Sequence, residues 1–188
     1  MTAPNPTLTV RWTGLADPLV RPLLDELAHE YATRYEGILA VDQIRDELEH
    51  YPAAEFASPD GALVLLLEDG EPVAGGAFRR RVEPELGDAD RRPRAEGRDE
   101  SGVPTVPTAE LKRIWTDSAH RRQGLAKKLL TELETDIAGR GYTRIYLTTG
   151  DRQPEAERLY ESAGYTRLAE PLPAEGEVYP MAFQKVLT

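Results

Sequence analysis

Arg121-Arg122-Gln123-Gly124-Leu125-Ala126 holds the residue types and spacing with the clearest chemical use in this chain of 188 residues. The stretch lies between a run that reads as a strand, residues 110–116, and apolar residues at helical spacing from Leu125 onward. In that order, the backbone N–H groups of the helix start have no intrahelical acceptors, and the helix dipole adds partial positive charge. Such a site suits linked phosphates. Gly124 has no Cβ, so a diphosphate can come close to the backbone. Arg121 and Arg122 add charge and forked donors. Alone, the hexapeptide equally describes a solvated basic helix start, so its surroundings have to decide.

The elements around it form an interleaved pattern. Residues 8–12 read as a first strand. Asp17-Pro18 is an N-cap followed by proline, and Leu19, Leu23, Leu24, Leu27 and Tyr31 mark a helix over residues 18–35 that Gly37 ends. Asp42 caps a second helix carrying Ile44, Leu48 and Tyr51, with Pro52 as its stop. Residues 62–67 are continuously apolar, as a strand buried on both faces would be. Asp69-Gly70 turns the chain into a returning strand over residues 73–80. After the basic turn, Leu125, Leu129, Leu130, Leu133 and Ile137 share one helix face that ends near Gly139 or Gly141. A strand over residues 144–149 follows. Pro154 starts a short helix with Glu155 and Glu157 in its first turn, and Gly164 closes it. Strands over 165–169 and 178–186 finish the chain, joined by a Pro- and Glu-containing link at 170–176. Interleaved α and β elements of this kind predict a central sheet with helices on its faces.

Residues 83–107 differ from everything around them. They are dense in Glu, Asp and Arg with scattered Gly and Pro, and almost without apolar side chains. Such a segment buries too little to order itself well, so it is expected to be a mobile insertion or a lid over substrate.

Composition narrows the function classes. The length favours a single domain over 1–188, and 40% apolar with 30% charged residues is ordinary for a soluble globular protein. A net charge of −10 argues against nucleic acid as a partner, while leaving room for a local basic pocket. There is no cysteine, which removes disulfides, thiolate metal sites and a cysteine nucleophile. His29, His50 and His120 are scattered without metal-ligand spacing, so no metal is expected. Residues 1–9 lack a basic start and an apolar stretch, and no apolar run is long enough to span a bilayer. The expectation is a cytoplasmic protein with no membrane partner.

Two blocks together resemble the GNAT superfamily of N-acetyltransferases. The first is Glu110-Leu111-Lys112-Arg113-Ile114-Trp115-Thr116 followed by Arg121-Arg122-Gln123-Gly124-Leu125-Ala126. It fits the superfamily pattern of Arg or Gln, two variable residues, Gly, one variable residue, then Gly or Ala. The second is Gln153-Pro154-Glu155-Ala156-Glu157-Arg158-Leu159-Tyr160-Glu161-Ser162-Ala163-Gly164-Tyr165. It looks like the second family signature, with Leu-Tyr-Glu and Gly-aromatic, although Gln153 stands where the family has Asn. Arg122 stands where many members carry Gly, and Ala126 replaces the commoner second Gly. The resemblance implies an α/β (α+β) fold: a central mixed, mostly antiparallel sheet, flanked by helices on both faces, with a splayed pair of parallel central strands.

It also implies acetyl-CoA as donor and CoA as product. In the family the diphosphate sits on the turn amides, here Arg122, Gln123, Gly124, Leu125, Ala126 and Lys127, with Arg121 adjacent and Gln153 at the Asn-like position. The pantetheine arm pairs like an extra strand with Ile114, Trp115 and Thr116. Tyr160 matches the tyrosine that protonates the departing sulfur. Glu110 matches a carboxylate that several members use as general base. Strand alternation places Glu110 on one face with Lys112, Ile114 and Thr116, and a partly buried glutamate there would suit proton acceptance. The opposing reading is a carboxylate paired with Lys112 or Arg113, or one that attracts the amine. His120, just ahead of the turn, reads as a solvated loop residue.

The activity so implied is acetyl transfer to a primary amine of a small molecule or of a peptide or protein, by direct attack. Two other readings stay open at this point: a catalytically silent acyl-CoA-binding module, and a transferase for a larger acyl group. A homodimer is possible by family analogy alone.

Overall fold

The computed structural model describes residues 7–36, 51–81, 97–98, 104–168 and 180–187, together with Ile44 and Leu48. The expectations that Gly37 ends the first helix and that Asp42 caps the second lie outside these residues, as does the 170–176 link. Of residues 83–107, the described backbone pairs Gly97–Arg98 with Pro104–Thr105 antiparallel; the lid-or-mobile question falls outside what is described.

Chain order gives β1 (Leu8–Thr13), a 3-10 turn (Pro18–Val20), α1 (Arg21–Arg34), β2 (Ala62–Glu68), β3 (Glu71–Arg80) and β4 (Thr108–Thr116). After these come α2 (Leu125–Gly139), β5 (Arg144–Gly150), α3 (Pro154–Ser162), β6 (Thr166–Arg167) and β7 (Pro180–Val186). Seven strands form one sheet in the order β1-β2-β3-β4-β5-β7-β6. Every neighbouring pair is antiparallel except β4 and β5, which run parallel.

Local chemistry sets these elements. The Asp17 side chain accepts from the Leu19 amide and starts the first helical turn with Pro18 behind it. Asp69 and Gly70 both take positive φ, 49° and 94°, the pairing that a tight β2–β3 hairpin needs. β2 is buried on both faces, as its unbroken apolar run predicts. Leu63, Leu65 and Leu67 pack with Leu23 and Leu27 of α1, while Val64 and Leu66 pack with Leu129 and Leu133 of α2. Helices thus cover both faces, α1 on one, α2 and α3 on the other. Burying the five apolar residues of α2 contributes roughly 1.5–3 kcal/mol each.

One strand is shorter than the sequence predicts: β6 is only two residues within the expected 165–169. β7 runs Pro180–Val186, and the expected positions 178 and 179 lie outside the described residues.

One local feature overturns a sequence expectation. The β3–β4 register shifts between Gly75 and Ala77, and Arg113 takes φ +57°. This is a β-bulge with a non-glycine residue in the left-handed region. It breaks the alternation that would put Glu110, Lys112, Ile114 and Thr116 on one face. Ile114 instead packs with the α2 side of the core, where its Cδ1 leaves no space for a Cβ on Gly76. Trp115 turns to the α1 side.

Candidate active site

The parallel pairing of β4 with β5 runs only from Thr108 opposite Arg144 to Glu110 opposite Tyr146. Beyond that point the strands part, and a cleft of about 900 Å³ opens between their ends. The β4 end, the turn after it, the start of α2, the β5 end and α3 all contribute walls. Ile114, Trp115, Thr116, Arg121, Arg122, Gly124, Leu125, Ala126, Lys127, Gln153 and Tyr160 all line it. Gln123, in the middle of the turn, is exposed and does not.

The turn is built as an anion cradle. Arg122 and Gly124 adopt φ +65° and +81°. Gly124 is the N-cap of α2, provides no side-chain cap, and has no atom within 4 Å of where its Cβ would stand. No acidic residue stands in the first turn of α2. The amides of Leu125, Ala126 and Lys127 are therefore left without helical acceptors or a capping side chain at the cleft wall. These features fit the diphosphate of a CoA thioester. Residues 111–116 stay paired with β3 on one edge, and their other edge, past the end of the β5 pairing, is the one that a pantetheine arm would need.

Arg121 lines the cleft and also reaches α1. Its Nη2 sits 3.1 Å from Oε2 of Glu30 on α1, and its side chain is 41% exposed. Glu30 also takes Arg34 at 2.6 Å, and Arg34 reaches on to Glu155 and to the Arg152 carbonyl. An ionic strap therefore joins the turn after β4 to the start of α3. Tyr35 closes the same side, packed so tightly on Gly150 that a Cβ there would strike its hydroxyl.

Tyr160 projects from α3 into the cleft and is 6% exposed. Its ring lies 5.6 Å from Tyr165 and 5.7 Å from Phe183, both edge-on or tilted. Burial pushes its phenol well above the ordinary tyrosine value, and the neighbouring Tyr31 adds to the shift.

Glu110 does not stand on the cleft wall. It is 2% exposed, with Oε2 at 2.7 Å from Arg79 and 3.5 Å from Arg81, and Oε1 at 3.1 Å from Lys112. The two guanidiniums also stack on aromatic rings, Arg79 on Tyr51 at 4.3 Å and Arg81 on Tyr146 at 4.2 Å. Of the three sequence alternatives, the geometry matches the carboxylate paired with Lys112, with Arg79 and Arg81 as additional partners from β3. His120 also stays off the cleft wall. Its Nδ1 lies 2.5 Å from Asp117 Oδ2 and its Nε2 3.4 Å from Glu68. The bond to Asp117 is the main cause that raises its pKa.

Sequence reasoning gave Glu26, Glu30, Arg34 and Tyr35 no role in the site, and used Tyr31 only to mark the helix. The signal of the three charged residues was a polar stripe on an amphipathic helix, which a solvated face would show equally. Among the described residues no group of three or more His, Cys, Asp or Glu could hold a metal ion, and no helix is long and apolar enough to cross a membrane.

Sequence comparison decides what this cleft belongs to. The Acetyltransferase (GNAT) family profile matches residues 23–165, which span both blocks and every wall of the cleft. The chain belongs to that family. Among relatives of the GNAT chain, the uncharacterized N-acetyltransferase YjgM of Escherichia coli is 27% identical over 94% of this chain and 92% of its own. Human N-acetyltransferase 8 is 38% identical over 31% of this chain, and Bacillus subtilis YsnE 37% over 36%. Those two matches span only 26% and 46% of the relatives' own lengths. A putative acyl-CoA N-acyltransferase of Klebsiella pneumoniae shares the fold, with TM-score 0.63 at 22% identity, covering 96% of this chain and 98% of that one. So does yncA of Salmonella typhimurium, solved with acetyl-CoA, with TM-score 0.59 at 18% identity, over 97% and 95%.

Proposed function

We propose that this GNAT protein transfers the acetyl group of acetyl-CoA to a primary amine of a small molecule or of a peptide or protein. One observation carries the reading: the uncapped start of α2 and the buried Tyr160 phenol face a single cleft where β4 and β5 part. An anchor for a diphosphate and a proton donor are thereby held on one scaffold.

Acetyl-CoA supplies a thioester carbonyl open to attack. Arg122, Gly124, Leu125, Ala126 and Lys127 hold its diphosphate through backbone amides, and the edge at Ile114, Trp115 and Thr116 holds its arm. Gln153 borders the same space, as the N-cap of α3 without a side-chain cap. The acceptor comes in as the neutral amine, having lost a proton to water, because an alkylamine with a pKa near 10.4 is mostly protonated at neutral pH. The C–N bond forms, the C–S bond breaks, and the second amine proton leaves to solvent. Tyr160 gives its proton to the departing sulfur and regains one from water. Burial keeps this phenol protonated, so it carries a proton to give at neutral pH. Glu110, tied to three cations, organises β3 and β4 beneath the cleft and leaves amine deprotonation to water. Holding the two reactants in place contributes much of the remaining acceleration.

The test is calorimetric titration with acetyl-CoA, CoA and ATP, followed by thiol release over an amine panel. Micromolar binding of acetyl-CoA and CoA over ATP, with amine-dependent turnover, is expected. Tyr160→Phe should lower kcat by about 100-fold and leave the acetyl-CoA Kd within about twofold. Binding without turnover on any amine would replace this reading by a silent acyl-CoA module. Turnover only with a longer thioester would make it a different acyltransferase. No binding at millimolar acetyl-CoA would remove both.

A further inference from the structure

Two carboxylates on α1, Glu26 and Glu30, stand one helical turn apart and both reach the connection between β4 and α2. Glu30 meets a flexible, half-exposed arginine. Glu26 meets fixed groups: its Oε2 accepts the Trp115 indole N–H at 2.7 Å, and its Oε1 accepts the Ser118 backbone N–H at 3.0 Å. We propose that Glu26 is a positioning residue for the donor site, which fixes from α1 the strand end and the turn that acetyl-CoA occupies. This rests on the acetyl-CoA reading above.

The segment from Trp115 to Arg121 joins the strand edge to the turn. Trp115 lines the cleft at the strand edge, and the phosphate turn begins only three residues after Ser118. Between them, Asp117 is held by its amide to the Val73 carbonyl at 2.9 Å, and its side chain caps the Ala119 amide at 3.1 Å. Those bonds tie the segment to β3 and to itself. Glu26 ties Trp115 and Ser118 to α1, with one oxygen for each of two donors, while Glu30 takes Arg121 at the far end of the segment. The Ser118 amide has no other acceptor among the described residues. Both bonds go to a carboxylate, the stronger kind of hydrogen bond, and the Trp115 bond is partly buried. Without Glu26, the strand end and the turn would sample more conformations, and ordering them would be charged to donor binding. That cost applies before and during reaction alike, so it raises Kd and KM while kcat stays nearly constant.

Glu26→Ala and Glu26→Gln are made in a Trp12→Phe background, where Trp115 is the remaining tryptophan and its fluorescence reports its own indole. Calorimetry with acetyl-CoA and with CoA, plus steady-state kinetics, gives the readout. Glu26→Ala should weaken both ligands about tenfold, leave kcat within about twofold and shift Trp115 emission. Glu26→Gln keeps one acceptor oxygen and should lose about threefold. Trp115→Phe added to Glu26→Ala should cost less than its effect alone, because the two share one bond. A purely structural Glu26 would lower the melting temperature and shift emission with unchanged ligand affinity, and that result overturns the proposal. So does a fall in kcat with Kd unmoved. If the alanine variant does not fold, the glutamine variant decides alone. Failure of the unsubstituted protein to bind either ligand would refute the acetyl-CoA reading and this role with it. Normal binding with unaltered variants would refute this role only.

Discussion

Two helices point their N-termini at the same cleft and treat that end in opposite ways. α2 begins with Gly124 in a left-handed conformation, with no capping side chain and no acid in its first turn. α3 begins with Pro154 and places Glu155 and Glu157 in its first turn. Proline has no N–H to leave open, and the two carboxylates answer the dipole from within the chain. Glu157 is then paired with Arg167 at 2.6 Å, and Glu155 with Arg34. One positive helix end is answered by the protein's own acids, while the other, among the described residues, has none in its first turn. On the proposed reading, this difference reserves the start of α2 for an anion, even on a chain carrying net charge −10.

The most severe way to break this contrast is to give α2 the acid that α3 has. Ala126→Glu puts a carboxylate in the first turn of α2, on the cleft wall. The acetyl-CoA Kd should rise by about 30-fold or more, from like-charge repulsion and a competing acceptor for the turn amides. Stability should hold or rise by about 0.3–1 kcal/mol, because the acid suits the dipole. Calorimetry and thermal unfolding of the same sample separate the two effects. Retained affinity would show that the diphosphate does not sit on these amides.

The same contrast shows what was legible in the sequence. The glycine in the turn, the apolar period of α2, the Asp-Gly hairpin and the Pro-Glu start of α3 are all local chemistry, and each led to the right element. The splay of β4 from β5 came only with the family resemblance, since strand spacing says nothing about where a pairing ends. The bulge at Arg113 could not be read at all. It puts a non-glycine residue at φ +57°, against its own preference, because β3 and the flanking helices dictate it. The ion cluster of Glu110 was half hidden for the same reason: Lys112 is two residues away, while Arg79 and Arg81 come from another strand. The α1 groups that reach the turn looked like ordinary surface charge until the fold placed them.

A smaller change sharpens the conformational half of the contrast. Gly124→Ala asks alanine to hold φ +81° and should cost about 1 kcal/mol of stability. No protein atom lies within 4 Å of the new Cβ, so packing adds nothing to that cost. A bound diphosphate is what the methyl would meet, and the acetyl-CoA Kd should rise about fivefold. Gly124→Asn tolerates the left-handed region better and should recover most of the stability without recovering the affinity. Equal recovery of both would mean that the glycine serves the turn and not the ligand.

The smallest effect comes from making α3 more like α2. Glu155→Gln removes a carboxylate from the first turn of α3 and a partner from Arg34. Partial burial alone would raise the pKa of Glu155, but the Arg34 hydrogen bond and charge outweigh it and hold the group below its ordinary 4.5. A carboxylate with a lowered folded pKa stabilises the protein above its unfolded value, and this contribution is lost as pH falls through the folded value. Unfolding free energies of the parent and of Glu155→Gln should therefore differ by about 0.5 kcal/mol at pH 7, and converge as the medium is made more acidic than pH 4.5. The side chain is 54% exposed, so salt should shrink the difference as well. No second phosphate site should appear, because Pro154 still offers no N–H at the head of α3. A difference that persists unchanged into acid would assign the stabilisation to packing of the side chain and leave the dipole of α3 answered by Glu157 alone.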